Sequence, residues 1–189
     1  MTDKFTTNVD DSKTLQVNDN SNYWDTTGLY YKEFPSNIKL LRYFTVLITQ
    51  QAPDAIKEVN LLEQQICEII KNAMIHGNKL DQRKRIKVWY KFDKTQAKII
   101  VEDEGEGFKD LEKWNEFNQK RNKALIEGDF EKIEKYISWI SINDGEGNGG
   151  NALFAALEYW NGGIIFTSKR NKVVMVKNFE KFDLLYQRN

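Results

Sequence analysis

A chain of 189 residues with 28 basic and 28 acidic side chains has no net formal charge, which argues against direct nucleic-acid binding and against an affinity for acidic membranes. Cys67 is the only cysteine, so no internal disulfide can form, and ~100–200 residues is the usual extent of a single domain. No apolar run approaches the roughly 20 residues of a membrane span, and the opening MTDKFTTNVDD has no signal-peptide core. A soluble cytoplasmic domain is the expectation.

Residues 1–27 are rich in Asp, Asn, Thr and Ser and read as a poorly ordered leader, with Tyr23 and Trp24 the only hint of docking. The folded domain is expected over 28–189. Leu29 to Phe34 (LYYKEF) reads as a strand, and Pro35-Ser36 opens a helix carrying Ile38, Leu41, Phe44, Val46 and Ile48. Pro53-Asp54 opens a second helix running to His76, which Gly77 is expected to end in the left-handed conformation. Arg85 to Phe92 alternates apolar and charged residues, Asp93 to Gln96 turns, and Ala97 to Glu102 returns, which is the pattern of a hairpin with one buried face.

Lys109 to Ser141 is a charged helical insert with one apolar stripe at Leu111, Trp114 and Phe117 and a second at Phe130, Ile133, Ile137 and Ile140. Gly128-Asp129 between them reads as a helix stop followed by an N-cap. Both helices are expected to pack on the body. A glycine-rich run, Asn143 to Leu153, leads into an apolar helix from Phe154 to Trp160, and a last hairpin pairs Gly163 to Thr167 with Val173 to Lys177. Phe179 to Asn189 is expected to be loose or weakly helical.

Three pieces carry candidate chemistry. Glu68, Asn72 and His76 recur every four residues, one polar stripe on a helix whose Leu62, Ile66, Ile69 and Ala73 form an apolar face. Asp103-x-Gly105-x-Gly107-Phe108 follows a strand, and Gly145-x-Gly147-x-Gly149-Gly150 precedes a helix. Singly, each has a bland reading: a solvated helical charge, a turn, a flexible loop.

In combination and in this order they resemble the N, G1 and G2 boxes of the GHKL superfamily, the Bergerat ATP-binding fold shared by gyrase, heat-shock chaperones, histidine kinases and MutL. Glu68-x-x-x-Asn72-Ala-x-x-His76-Gly77, with Asp103-x-Gly-x-Gly-Phe108 and the Phe34-Pro35-Ser36 helix entry, is similar to the anti-sigma-factor serine/threonine kinases of bacterial partner-switching systems. The resemblance covers roughly Leu29 to Phe179. It implies an α/β two-layer sandwich: a mixed, mostly antiparallel sheet with the long helices on one face. ATP would lie between the layers, under a lid built from the insert 109–144 and the second glycine run.

The resemblance also assigns roles. Asn72 would be the Mg²⁺ ligand, a neutral oxygen suited to a hard cation that phosphates complete. Glu68 would be the general base. Asp103 would accept from the exocyclic amine of adenine, where guanine carries a carbonyl. Gly105 and Gly107 would let backbone approach the base, and Gly147, Gly149 and Gly150 would present N–H groups and a helix N-terminus to the phosphates. The implied activity is transfer of the γ-phosphoryl group of Mg-ATP to a serine or threonine of a small antagonist (STAS-type) protein. The kinase would also sequester a sigma factor or similar regulator, and a homodimer is a further implication. Three departures separate this chain from the branch: the second glycine run reads GNGGNAL, the insert is long, and Val173 and Val174 stand near where relatives carry Gly-Thr. The alternative they motivate is a nucleotide-dependent switch that binds a partner without phosphorylating it. A histidine-kinase catalytic domain is a weaker alternative, since His76 is the only histidine.

Overall fold

The computed structural model describes residues 13–57, 60–139 and 151–179. Its centre is the hairpin that the alternation predicts. β3 (Arg85–Phe92) and β4 (Gln96–Glu102) pair antiparallel, and Ile86, Val88, Tyr90 and Phe92 are all buried on one face. β2 (Tyr30–Pro35) pairs antiparallel with the other side of β3. β5 (Gly163–Phe166) and β6 (Lys172–Asn178) form the last hairpin, and β6 lies against β4. The sixth strand, β1 (Leu15–Val17), runs parallel to β5. The six-stranded mixed sheet has the order β1-β5-β6-β4-β3-β2.

That first strand corrects the reading of residues 1–27 as a loose leader. Leu15 is buried in the main core, and the Asn115 side chain bonds both the N–H and the C=O of Leu15, at 2.9 and 2.8 Å. The next residues cross the outer face of the sheet. There Tyr23, Trp24, Leu29 and Trp89 cover Ile100, Ile165, Val174 and Val176, and the Lys172 ammonium sits 4.8 Å from the Trp89 ring and 5.9 Å from the Trp24 ring. Residues 1–12 lie outside the described residues.

The helices share the other face. α1 (Leu41–Thr49) turns Phe44, Thr45 and Ile48 inward, with Phe44 stacked on Phe34 at 4.3 Å; Val46 and Ile38, apolar residues of the same segment, are exposed. Ser36 does not cap this helix. It is buried, and Asn37 caps a short 3₁₀ turn, Ile38–Leu40, ahead of α1. The expected single helix from Asp54 to His76 is α2 (Asp54–Lys57), α3 (Leu61–Asn72) and a wide π turn, Ala73–Gly77. Leu62, Ile66, Ile70 and Met74 carry α3 and its continuation onto the sheet.

α4 (Leu111–Glu127) buries Leu111 and Trp114, as expected. Gly128 ends it at φ 65°, and the Asp129 carboxylate caps α5 (Phe130–Lys135) through the Lys132 N–H at 3.0 Å. The second stripe is corrected: Phe130 and Ile137 are 83% and 65% exposed, and Ile140 lies outside the described residues. Helical spacing marks an apolar face, and here the described body does not cover it. α6 (Asn151–Tyr159) returns the chain to the core through Ala156 and Leu157. No helix among the described residues is long and apolar enough to cross a membrane.

Candidate functional site

A cavity of about 700 Å³ opens between α3 and its π turn, the ends of β4 and β6, the loop after β4 and the base of α4. Small-molecule sites commonly measure about 300–1,000 Å³. Its walls include Ile69, Val101, Phe108, Leu153, Phe166 and Val173, and its polar groups include Asn72, His76, Asp103, Lys84 and Arg170. A smaller hollow of about 280 Å³ lined by Val46, Ile56, Leu62 and their neighbours shares none of these residues.

The structure brings two of the three predicted pieces together. Asn72 and His76 line the cavity from the helix, and Asp103, Gly105 and Gly107 line it from the loop. Among the described residues the Asn72 carboxamide makes no hydrogen bond. Glu68 is not among the lining residues. It lies half-buried on α3, with both carboxylate oxygens 3.2 Å from the Lys71 ammonium. Gly147, Gly149 and Gly150 lie outside the described residues. Val173 faces the cavity while Val174 belongs to the outer face of the sheet, as alternation requires.

The glycines are packing requirements. Gly77 does not adopt the expected left-handed conformation; that falls to Lys79 and Leu80, at φ 54° and 58°. A Cβ on Gly77 would stand 2.3 Å from Cγ of Asp103 and 2.5–2.6 Å from its carboxylate oxygens. A Cβ on Gly105 would meet the Gly77 carbonyl oxygen at 2.3 Å. Gly107 combines φ +85° with a would-be Cβ 2.1 Å from the Lys169 carbonyl oxygen. Asp103, the π turn and the β5–β6 turn are thus in close backbone approach, which only glycine permits.

Asp103 is the electrostatic centre. One of its carboxylate oxygens, Oδ1, accepts from the Gly105 N–H at 2.7 Å. Burial pushes its pKa up from 3.8 to about 6, against the opposing pull of the Gly105 N–H, Lys169 and Lys84. A half-desolvated carboxylate with so few donors is an acceptor in want of a partner.

Two asparagines missed by sequence reasoning hold this loop. Asn171 binds Asp103 at both backbone positions, accepting from its N–H at 2.9 Å and donating from Nδ2 to its C=O at 2.6 Å. Asn78, fully buried, donates from Nδ2 to Ser36 Oγ at 2.8 Å and to the Arg85 C=O at 2.9 Å. Its Oδ1 accepts from the Glu104 N–H at 2.7 Å. The one signal available was a polar residue directly after His76-Gly77, where a surface position was the natural reading. At the cavity rim the Arg170 guanidinium grips the Glu112 carboxylate with both terminal nitrogens, tying the first turn of α4 to the β5–β6 turn.

Comparison with protein-family models and with curated proteins finds no match to this chain. Among the described residues no group of three or more His, Cys, Asp or Glu side chains could hold a metal ion.

Proposed function

We propose that the chain is a GHKL-type (Bergerat-fold) nucleotide-binding domain that takes ATP between helices and sheet. We further propose that it acts as an anti-sigma-factor-type serine/threonine kinase in the cytoplasm. The observation that carries the reading is Asp103: a half-desolvated carboxylate on the wall of a nucleotide-sized cavity, flanked by glycines whose Cβ atoms would fill the space around it. Such a group favours an exocyclic amine and disfavours a carbonyl at the same place. The apolar walls at Val101, Phe108, Leu153 and Phe166 suit a flat base.

The residues present fit a magnesium nucleotide. Asn72 offers an uncharged oxygen inside the cavity, and Mg²⁺ binds with few protein ligands, its shell completed by water and phosphate. Bound there, the cation would neutralise charge developing on the phosphates. Asn72 would hold it, Asp103 would orient the base, and Glu68 would take the proton of the attacking hydroxyl. Proton removal of this kind is worth about 10²–10⁴-fold. The protein substrate would be a small antagonist of STAS type, with a sigma factor or similar regulator as the sequestered partner. A homodimer fits the same reading.

Calorimetric titration with Mg-ATP and Mg-GTP is the first test: ATP should bind on the order of a hundredfold tighter, in line with sites built around a polar group of the ligand. Equal binding of the two would refute the role of Asp103. Incubation with γ-labelled ATP and a small STAS-type antagonist protein is the second, and transfer that survives Glu68→Gln would rule out Glu68 as the base. One observation favours the switch reading. Glu68 is paired with Lys71 and does not line the cavity. Nucleotide binding and partner capture with no phosphate on the partner would establish that reading instead.

A further inference from the structure

We infer that Asn78 is a positioning residue for base recognition, setting the direction of the Asp103 carboxylate without touching the nucleotide; this rests on the reading of Asp103 as the group that meets the base. The peptide unit joining Asp103 to Glu104 is pinned at both ends. Its carbonyl accepts from Asn171 Nδ2 at 2.6 Å, and its N–H donates to Asn78 Oδ1 at 2.7 Å. With the Asp103 N–H also held by the Asn171 C=O at 2.9 Å, fixing that plane fixes ψ of Asp103 and so the direction in which its side chain leaves the backbone.

Asn78 is sealed away from any ligand. An asparagine offers two N–H donors and one carbonyl, and here the donors serve Ser36 and Arg85 while the carbonyl serves Glu104. The side chain is 0% exposed. Its partners stand at the end of β2, the start of β3 and the loop after β4. Through this carboxamide the frame of the sheet therefore reaches the Asp103–Glu104 peptide. Arg85 adds a second tie, its N–H donating to the Glu104 carboxylate at 2.8 Å. Without Asn78 the loop keeps its Asn171 and Arg170 anchors on one side, while on the other only the Arg85 and Lys84 bonds to Glu104 remain, and neither holds the N–H of the Asp103–Glu104 peptide. The consequence is lost discrimination between bases, in excess of lost stability.

The experiment measures the ratio of GTP to ATP dissociation constants in the full chain, its Asn78→Ala variant and an Ile48→Ala variant. Ile48 is fully buried on α1 and lies outside the loop, so its truncation lowers stability without releasing the Asp103–Glu104 peptide. The expected result is a ratio reduced at least tenfold in N78A and unchanged in I48A, with melting temperatures of both lowered. An unchanged ratio in N78A, or an equal fall in I48A, overturns the inference. Should N78A fail to fold, amide exchange in the unmodified chain decides: the Glu104 N–H should exchange at least a hundredfold slower than an open amide, and fast exchange overturns the inference. An unmodified chain that binds ATP and GTP equally refutes the proposed function and this inference with it. Failure of the inference alone leaves that discrimination intact in the unmodified chain.

Discussion

Titration of Asp103 gives the most demanding test of the site. Its pKa is raised from 3.8 to about 6 by burial, so the folded state prefers the protonated acid. Stability should therefore fall as pH rises from about 4 to about 6, and the cost then persists at neutral pH. A rise of that size sets an upper bound on the cost of about 3 kcal/mol, reduced by the partial exposure of the group. Binding runs the other way, because the ionised form is the better acceptor. With a pKa of about 6, roughly a tenth of the molecules are ionised at pH 5 and nine-tenths at pH 7, so ATP affinity should drop about tenfold between them. Asp103→Asn keeps an oxygen for the Gly105 N–H and removes the titration. Phosphate groups also titrate near pH 6, so D103N measured in parallel subtracts the contribution of the nucleotide. Calorimetry from pH 5 to 8 should show a steeper loss in the unmodified chain, and denaturation of the unliganded proteins at pH 8 should find D103N the more stable. Identical pH slopes for the two proteins would refute the assignment of Asp103 as base acceptor.

Gly77→Ala places a methyl group 2.3 Å from Cγ of Asp103; it should cost about 1–3 kcal/mol of stability in urea unfolding and reduce ATP affinity at least tenfold, and unchanged affinity would contradict the close approach. Trp24→Ala uncovers the outer face of the sheet and removes the Trp24 bond to the Asn18 carbonyl. A loss of about 1–3 kcal/mol is expected from the exposed area, with nucleotide affinity unchanged; an equal loss of binding would show that the outer face and the site are coupled. Glu112→Gln weakens the grip of Arg170 on the start of α4, and faster amide exchange in the first turn of α4 should follow while the β3–β4 hairpin stays protected.

The parts of this fold legible in the sequence are those where one local period decides the structure. The β3–β4 hairpin shows it: Ile86, Val88, Tyr90 and Phe92 alternate with charges, and burial follows the alternation. β1 had no such signal. Three residues, Leu15 to Val17, carry too little pattern to outweigh the polar composition around them, and their partners at Ile164 to Phe166 lie near the other end of the chain. The π turn was equally hidden, because an extra residue in a helical turn leaves side-chain chemistry unchanged. It nevertheless decides the role of Gly77, which carries no left-handed turn and instead gives way to the Asp103 carboxylate. The candidate site divides along the same line. Asp103, Gly105 and Gly107 were visible only in combination with the helix motif before them and the glycine run after them, since a single D-x-G-x-G also reads as a turn. Asn78 was not, because an asparagine after a helix is ordinary until three separate segments are found hydrogen-bonded to it. The apolar stripe through Phe130 and Ile137 marks the limit of periodicity from the other side: spacing says which face of a helix is apolar, and only the fold says whether anything in the chain meets it.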